Sequence, residues 1–321
     1  MITRGSHPYT NKNMNIKKIA IIGSGPAGYA AALYTSRAEL VTTIFAGAEP
    51  GGQLMKTTEI ENFPGTEKGT TGPQLMMRMQ DQATRFGGEL IFETVESITK
   101  NGDGFTLKTE VTTYTFDAVI LTMGASPRML NIGEDKYWGK GLSTCAVCDA
   151  AFYRGKTTYV VGGGDSAIED ATALSKFASE VNLVVRGEAL RASKPMQKRL
   201  EESKVKVLFN ASIKEIIGEN KIEGLVVSQG HGDTVTQREV KTDGLFLAIG
   251  HVPATAFLQG SGVAVDEMGY VKTGGDYPTM TNVAGIFAGG DCVDHRYRQA
   301  AVAAGMGVMT ALDCEKWLAS R

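Results

Sequence analysis

Two cysteines separated by two residues, with an aspartate directly after them, form the most chemically pointed stretch of this chain: Cys145, Ala146, Val147, Cys148, Asp149. A Cys-x-x-Cys pair can open and close a disulfide. The thiolate attacks and the thiol does not, so a neighbouring group must manage protons as the pair cycles. The Asp149 carboxyl suits that task if burial raises its pKa towards neutrality; otherwise the same side chain is a helix or turn cap. Zinc is the competing use of the spacing, but a closed zinc site needs four ligands. With four cysteines and four histidines in 321 residues, the chain has no second Cys-x-x-Cys and no His pair at ligand spacing. Cys292 and Cys314 read as small apolar core residues. His251, after a glycine turn, reads as a backbone partner, and His295, among arginines, as structural.

A redox pair must exchange electrons with something held near it, and the flanking segments suggest what. "KKIAIIGSGPAGYAAALYTSR" (17–37) is an apolar strand, a Gly-x-Gly-x-x-Gly turn and an alanine-rich helix; "KTTYVVGGGDSAIEDATALSKFA" (156–178) repeats it with Ala167 in the third glycine's place. Gly23 and Gly162 permit the tight turn, Gly25 and Gly164 let a pyrophosphate approach the backbone, and Gly28 and Ala167 let helix pack on strand. The phosphate rests on unpaired N–H groups at the helix N-terminus. Two such units in one chain suggest one flavin and one nicotinamide nucleotide.

Apolar strands ending in glycine turns recur in "FDAVILTMGASPRML" (116–130) and "TDGLFLAIGHVPAT" (242–255), and "GIFAGGDCVDHRYRQ" leads into a long C-terminal helix. These elements predict an α/β chain of two Rossmann-like, three-layer ββα nucleotide-binding domains, the second inserted into the first. The expected division is 15–126 with 254–321 for the flavin (FAD) domain and 127–253 for the NAD(P) domain that carries the cysteine pair. Residues 1–14 read as a leader or cloning remnant, with Met14 an alternative start.

Composition is that of an ordinary globular chain, 42% apolar and 21% charged, and the net charge of −2 comes without blocks of like charge. That balance argues against nucleic acid or an anionic membrane as partner. No apolar run reaches the ~18 residues of a membrane span. The opening residues lack a signal peptide's apolar core, and so few cysteines make no disulfide framework, so a cytoplasmic location is expected.

From Lys17 to the C-terminal helix the chain resembles the low-molecular-weight thioredoxin reductases. The resemblance rests on "IIGSGPAGYAAALYTSRA", "GGQLMKTTEIENFPG", "CAVCDAAFYRGK", "VVGGGDSAIEDA", "LRASKPMQKR", "AIGHVPAT" and "FAGGDCVDHRYRQA". It implies a homodimer that passes electrons from NADPH to FAD, then to the cysteine pair and on to thioredoxin. In that scheme Cys148 faces the flavin, Cys145 attacks the thioredoxin disulfide and Asp149 is the acid–base group. For FAD it implies Gly23, Ser24, Gly25, Pro26 and Ala27 at the pyrophosphate, the loop of Gly51, Gly52, Gln53 and Leu54 with Asn62, the turn at Gly124, Asp291 at the ribityl chain, and Arg298, Gln299 and Ala300 over the ring. For NADPH it implies Gly162, Gly164, Asp165, Ser166, Arg186 and Arg191. The inserted domain is expected to rotate as a body between half-reactions, with hinges near Ser126 and Pro253.

The chain departs from the family pattern in places. A ribose-binding acid is expected ~20 residues beyond the first turn; Glu49 is the nearest candidate. At the 2′-phosphate site, Val185 stands where the family has histidine and Gly187 where it has a second arginine, while Arg186 and Arg191 remain. One lost guanidinium removes a charge-assisted contact of ~1.5–3 kcal/mol, a tenfold to hundredfold loss of affinity. NADPH stays the expected donor, with NADH or reduced ferredoxin as alternatives. A flavin-dependent dithiol oxidase and a redox sensor are competing functions. Ala150 replaces a usual glycine, which restricts positive φ there.

Overall fold

The structure, a computed structural model, describes residues 16–321, so the leader expected over 1–14 lies outside the described residues. The chain divides into two units. The first takes residues up to Gly52, Met77–Gly124 and Thr255–Arg321; the second takes Gln53–Met76 and Ala125–Ala254.

In the first unit a parallel sheet runs in the order Ile286–Ala288, Ala118–Leu121, Lys18–Ile22, Val41–Phe45, Glu89–Ile91. Residues 19–22 and Ala118–Leu121 at its centre are apolar and buried because both faces are covered. Side chains alternate across a strand. Ala20, Ile22, Val119, Leu121, Ile286 and Ala288 pack in one cluster with Val95, Ile98, Phe105, Leu107 and Phe116 of an antiparallel sheet, Val95–Asn101, Gly104–Thr109 and Thr113–Phe116. The helices Pro26–Arg37 and Ala300–Ala319 pack on each other. A Cβ at Gly307 would lie 2.1 Å from the Ala27 carbonyl oxygen, so only glycine allows that approach.

The second unit repeats the plan with a parallel sheet in the order Lys206–Leu208, Glu180–Val184, Thr157–Val161, Gly244–Leu247, Leu142–Ser143. Val160, Leu183 and Phe246 face the helix Asp165–Leu174 through Ala167, Ile168 and Ala171. Their neighbours Tyr159, Val161, Leu245 and Leu247 pack with Ile213, Ile216, Leu225 and Val227 of a second antiparallel sheet, Ala211–Ile217, Gly224–Gln229 and Thr236–Lys241. Burying each large aliphatic or aromatic side chain stabilises by roughly 1.5–3 kcal/mol, and both faces of the central strands contribute. The short strands Ala125–Pro127 and His251–Pro253 pair antiparallel at the unit's entry and exit.

Residues 53–76, expected with the first domain, group with the second unit. Gln53 Nε2 donates to Ser126 Oγ at 3.4 Å, and a Cβ at Gly139 would lie 2.5 Å from Thr58 Cγ2. Among the described residues no helix is long and apolar enough to cross a membrane.

Candidate active site

Cys145 and Cys148 are joined as a disulfide, with Cα atoms 5.3 Å apart. The strand Leu142–Ser143 at the edge of the parallel sheet delivers them, at the carboxyl end of its strands where such folds place chemistry. Cys145 caps the short helix Ala146–Asp149, and its Sγ accepts the Cys148 N–H at 3.2 Å. Ser143 Oγ accepts the Cys145 N–H at 3.0 Å, Asp170 Oδ1 accepts the Ala146 N–H at 3.2 Å, and the Cys145 carbonyl accepts the Asp149 N–H at 3.1 Å. Burial pushes the Asp149 carboxyl above the usual carboxylate range, and a hydrogen bond from Ser143 pulls it part of the way back. The carboxyl next to the disulfide is therefore biased towards holding a proton. Ala150 adopts φ −56° and ψ −33°, with its methyl 4% exposed, so this backbone makes no demand for glycine. Val147 and Phe152 beside the pair are 72% and 39% exposed.

Sequence reasoning missed Ser143 and Asp170. Ser143 stands two residues before Cys145, a spacing at which a hydroxyl commonly accepts a following backbone N–H, so a local signal existed. Asp170 lies 24 residues away, and no local signal points to it.

The first glycine turn has the form of a phosphate cradle. Gly23 has φ +109°, and a Cβ there would lie 2.4 Å from the Thr122 carbonyl oxygen; a Cβ at Gly25 would meet nothing within 4 Å. The Gly51 N–H donates to Ser24 Oγ at 3.0 Å, and Gly52, at φ +66°, would bring a Cβ within 3.4 Å of Gly25 Cα. Gly25 thus faces open space walled by a second glycine, and Pro26 and Ala27 begin the helix behind it. These residues fit a dinucleotide's pyrophosphate. Glu49 is exposed, and its carbonyl accepts the Gly52 N–H at 3.2 Å. Gly124, at φ +70°, closes the neighbouring strand. Gln53, Leu54 and the exposed Asn62 belong to the segment grouped with the second unit.

Asp291 follows the strand Ile286–Ala288. Burial, and then the nearby Asp294, push its carboxyl up to about 6, against the pull of Arg298. Asp294 accepts the N–H groups of Arg296, Tyr297 and Arg298 at 2.9 Å each, which shapes the segment that carries Arg298, Gln299 and Ala300 to the start of the C-terminal helix. Asp294 is the organising residue here, and sequence reasoning did not single it out. His295, exposed at the surface, packs its ring 5.6 Å from that of Tyr270. Cys292 and Cys314 are fully buried, as expected, and burial raises both thiols far from reactivity.

At the second turn, Gly162 has φ +156°, and Gly164 again opens on free space at the start of the helix Asp165–Leu174. Ser166 is exposed on the helix's first turn. The Asp165 carboxylate accepts the Ser193 N–H at 2.7 Å, and the Gly163 carbonyl accepts the Arg191 N–H at 2.7 Å. Asp165 therefore ties the arginine loop to the turn. Val185 is 3% exposed, and a Cβ at Gly163 would touch its Cγ1 at 3.2 Å, so it packs beneath the turn. Arg186 is exposed and lines an open cleft of about 500 Å³.

The family model described as pyridine nucleotide-disulphide oxidoreductase matches residues 17–307, and the chain belongs to that family. It is 45% identical over 313 residues to a thioredoxin reductase of Mycolicibacterium smegmatis, covering 96% of this chain and 99% of that protein. A glucosaminate ammonia-lyase of Pseudomonas fluorescens is 43% identical over 307 residues, with 94% and 95% covered. Among solved structures, a thioredoxin reductase from Giardia duodenalis superposes with a TM-score of 0.88 at 42% identity, covering 95% of this chain and 100% of that one.

Proposed function

We propose that the chain is a thioredoxin-disulfide reductase. The observation that carries this reading is the Cys145–Cys148 disulfide beside a carboxyl that burial biases towards its protonated form. In the reduced enzyme the Cys148 N–H, aimed at Cys145 Sγ, stabilises a Cys145 thiolate. That thiolate attacks one sulfur of the thioredoxin disulfide; the S–S bond breaks, and the second thioredoxin sulfur leaves as a thiolate that takes a proton from Asp149. Cys148 gives its proton to the Asp149 carboxylate and attacks Cys145 Sγ, restoring the internal disulfide; the thioredoxin sulfur leaves as a thiolate, takes that proton from Asp149, and dithiol thioredoxin is released. Val147 and Phe152 offer a small apolar surface at the pair, suited to a protein partner.

Bound FAD supplies the chemistry the side chains lack, a two-electron link between a nicotinamide donor and the disulfide. FAD is favoured over FMN because the first turn suits a pyrophosphate. Arg186 and Arg191 support NADPH as donor; Val185 and Gly187, in place of two phosphate-binding residues, favour NADH or reduced ferredoxin as the second reading. A cytoplasmic homodimer whose inserted domain, 127–253, rotates between half-reactions completes the proposal.

Cys145→Ser should leave the flavin reducible but abolish thioredoxin reduction; turnover by this variant would overturn the assignment. Anaerobic bleaching of the flavin by NADPH, NADH, reduced ferredoxin or dithiothreitol should rank NADPH first.

A further inference from the structure

The weakened phosphate site has a charge nearby that the family motif does not contain. Arg186 stands just past the strand Glu180–Val184, which lies parallel to the strand leading into the second glycine turn. That strand end is where the adenosine ribose hydroxyls of a nucleotide held on the turn arrive. The cleft there is also lined by Lys214, Asn210, Ser212, Ser228 and Gln237, and no carboxylate is among the residues lining it. Glu188, the nearest acid in the arginine loop, is paired with His231 at 3.1 Å.

Lys214 is held in place by the backbone. It belongs to the antiparallel strand Ala211–Ile217, whose register shifts between Ile213 and Glu215, so that Lys214 is the residue left without a ladder partner. Such a bulge re-aims a side chain. The start of this strand is tied to the arginine loop: Asn210 N–H donates to the Gly187 carbonyl at 3.0 Å and Ala211 N–H to the Val185 carbonyl at 3.0 Å. Asn210 lines the cleft, and its side-chain oxygen is buried without a hydrogen-bond partner.

We infer that Lys214, from outside the nucleotide motif, adds a cation to the 2′-phosphate site beside Arg186 and Arg191, replacing the guanidinium that Gly187 lacks, so that the cleft selects NADPH over NADH. The inference rests on reading the second turn as a nicotinamide-nucleotide site. The test is binding to the purified flavoprotein, by calorimetry, of 2′,5′-ADP and 5′-AMP as probes. The parent should bind 2′,5′-ADP at least tenfold tighter than 5′-AMP. Lys214→Gln should lose about tenfold for 2′,5′-ADP, the usual scale of one charge-assisted contact, and leave 5′-AMP within twofold. Lys214→Arg should retain the preference, and Arg186→Gln should lose it. If Lys214→Gln keeps the parent's preference while Arg186→Gln loses it, the role of Lys214 is overturned and the nucleotide reading survives. If the parent binds neither probe, or both equally, the 2′-phosphate site itself is wrong and the inference falls with it.

Discussion

The two glycine turns share a sequence pattern but not a packing. In the first, a Cβ at Gly28 would lie 1.9 Å from the Gly23 carbonyl oxygen and 3.1 Å from Thr122 Oγ1. That hydroxyl is itself committed, donating towards the Ile22 and Gly23 carbonyls at 3.0 and 3.2 Å. In the second turn a methyl occupies the corresponding place: Ala167 is fully buried, packed where a Cβ on Gly162 would lie 2.6 Å away. One crossing of strand and helix is closed by backbone; the other has room for a side chain. The second turn is also the one beneath which Val185 packs, 3% exposed, with Arg186 and then Gly187 following it at the strand end. A turn that touches its ligand through backbone alone tolerates no substitution, whereas a turn that shares binding with side chains can move the work to other elements.

Each unit also holds one carboxyl that burial pushes up, Asp149 in the second and Asp291 in the first. The strongest way to break the parallel is Asp149→Asn, which should slow thioredoxin turnover by ~10²–10⁴, the range for a lost acid–base group. Its folded pKa is raised, so its contribution to stability is present at low pH and lost as pH rises through the folded value. Asparagine cannot ionise, so the variant should melt no lower than the parent at neutral pH. Stopped-flow kinetics and melting curves together check this; a rate within twofold of the parent would reduce Asp149 to a helix residue.

Gly28→Ala sharpens the contrast between the turns. The added methyl meets backbone, not a side chain that can swing aside, so strand and helix must separate. Overpacking of this kind costs about 1–3 kcal/mol, here towards the upper end because the clash is with backbone, and the same shift opens the cradle of the first turn. The variant should lose bound flavin and melt well below the parent, as flavin fluorescence and calorimetry would report.

What could be read in advance follows the same division. Gly23, Gly25, Gly162 and the Cys145–Cys148 pair were legible because their demands are local: a turn, a close approach, a three-residue loop. Ser143 lay within reach of the same reasoning. Asp170, Asp294 and Lys214 were not legible, since their partners are set by how distant segments pair. Residues 53–76 group with the second unit, where Gln53 meets Ser126 and Thr58 meets Gly139, contacts that no periodicity announces. Whether Ala150, in place of a usual glycine, affects the loop could not be read from sequence; its backbone is right-handed helical, a conformation that alanine adopts freely.

Asp291 offers a pH test of the first unit. Its carboxyl titrates at about 6 against an ordinary 3.8, so the folded state binds the proton more tightly than the unfolded chain does. Stability from this group is complete below the ordinary value and is lost as pH rises through about 6; the full swing is at most about 3 kcal/mol. Asp291→Asn should therefore gain on the parent in melting temperature between pH 5 and pH 8. Parallel curves would mean that Asp291 is not titrating in that window.

The smallest effect expected tests the looser turn. Ala167→Gly restores the glycine of the first unit's pattern, and if the two turns were equivalent it would be harmless or would improve nucleotide binding. The packing predicts otherwise. The Ala167 methyl is fully buried in a cluster with Val160, Ile168 and Leu183, and removing it gives up about 0.8 kcal/mol of burial. Glycine in a helix adds up to about 1 kcal/mol of backbone entropy. The variant should be destabilised by ~1–2 kcal/mol, with 5′-AMP affinity changed by less than threefold, because on the proposed reading the phosphate rests on Gly164 and the helix N–H groups. Tighter nucleotide binding without loss of stability would show that the methyl obstructs the ligand, and that the second turn is a worn copy of the first instead of a differently packed one.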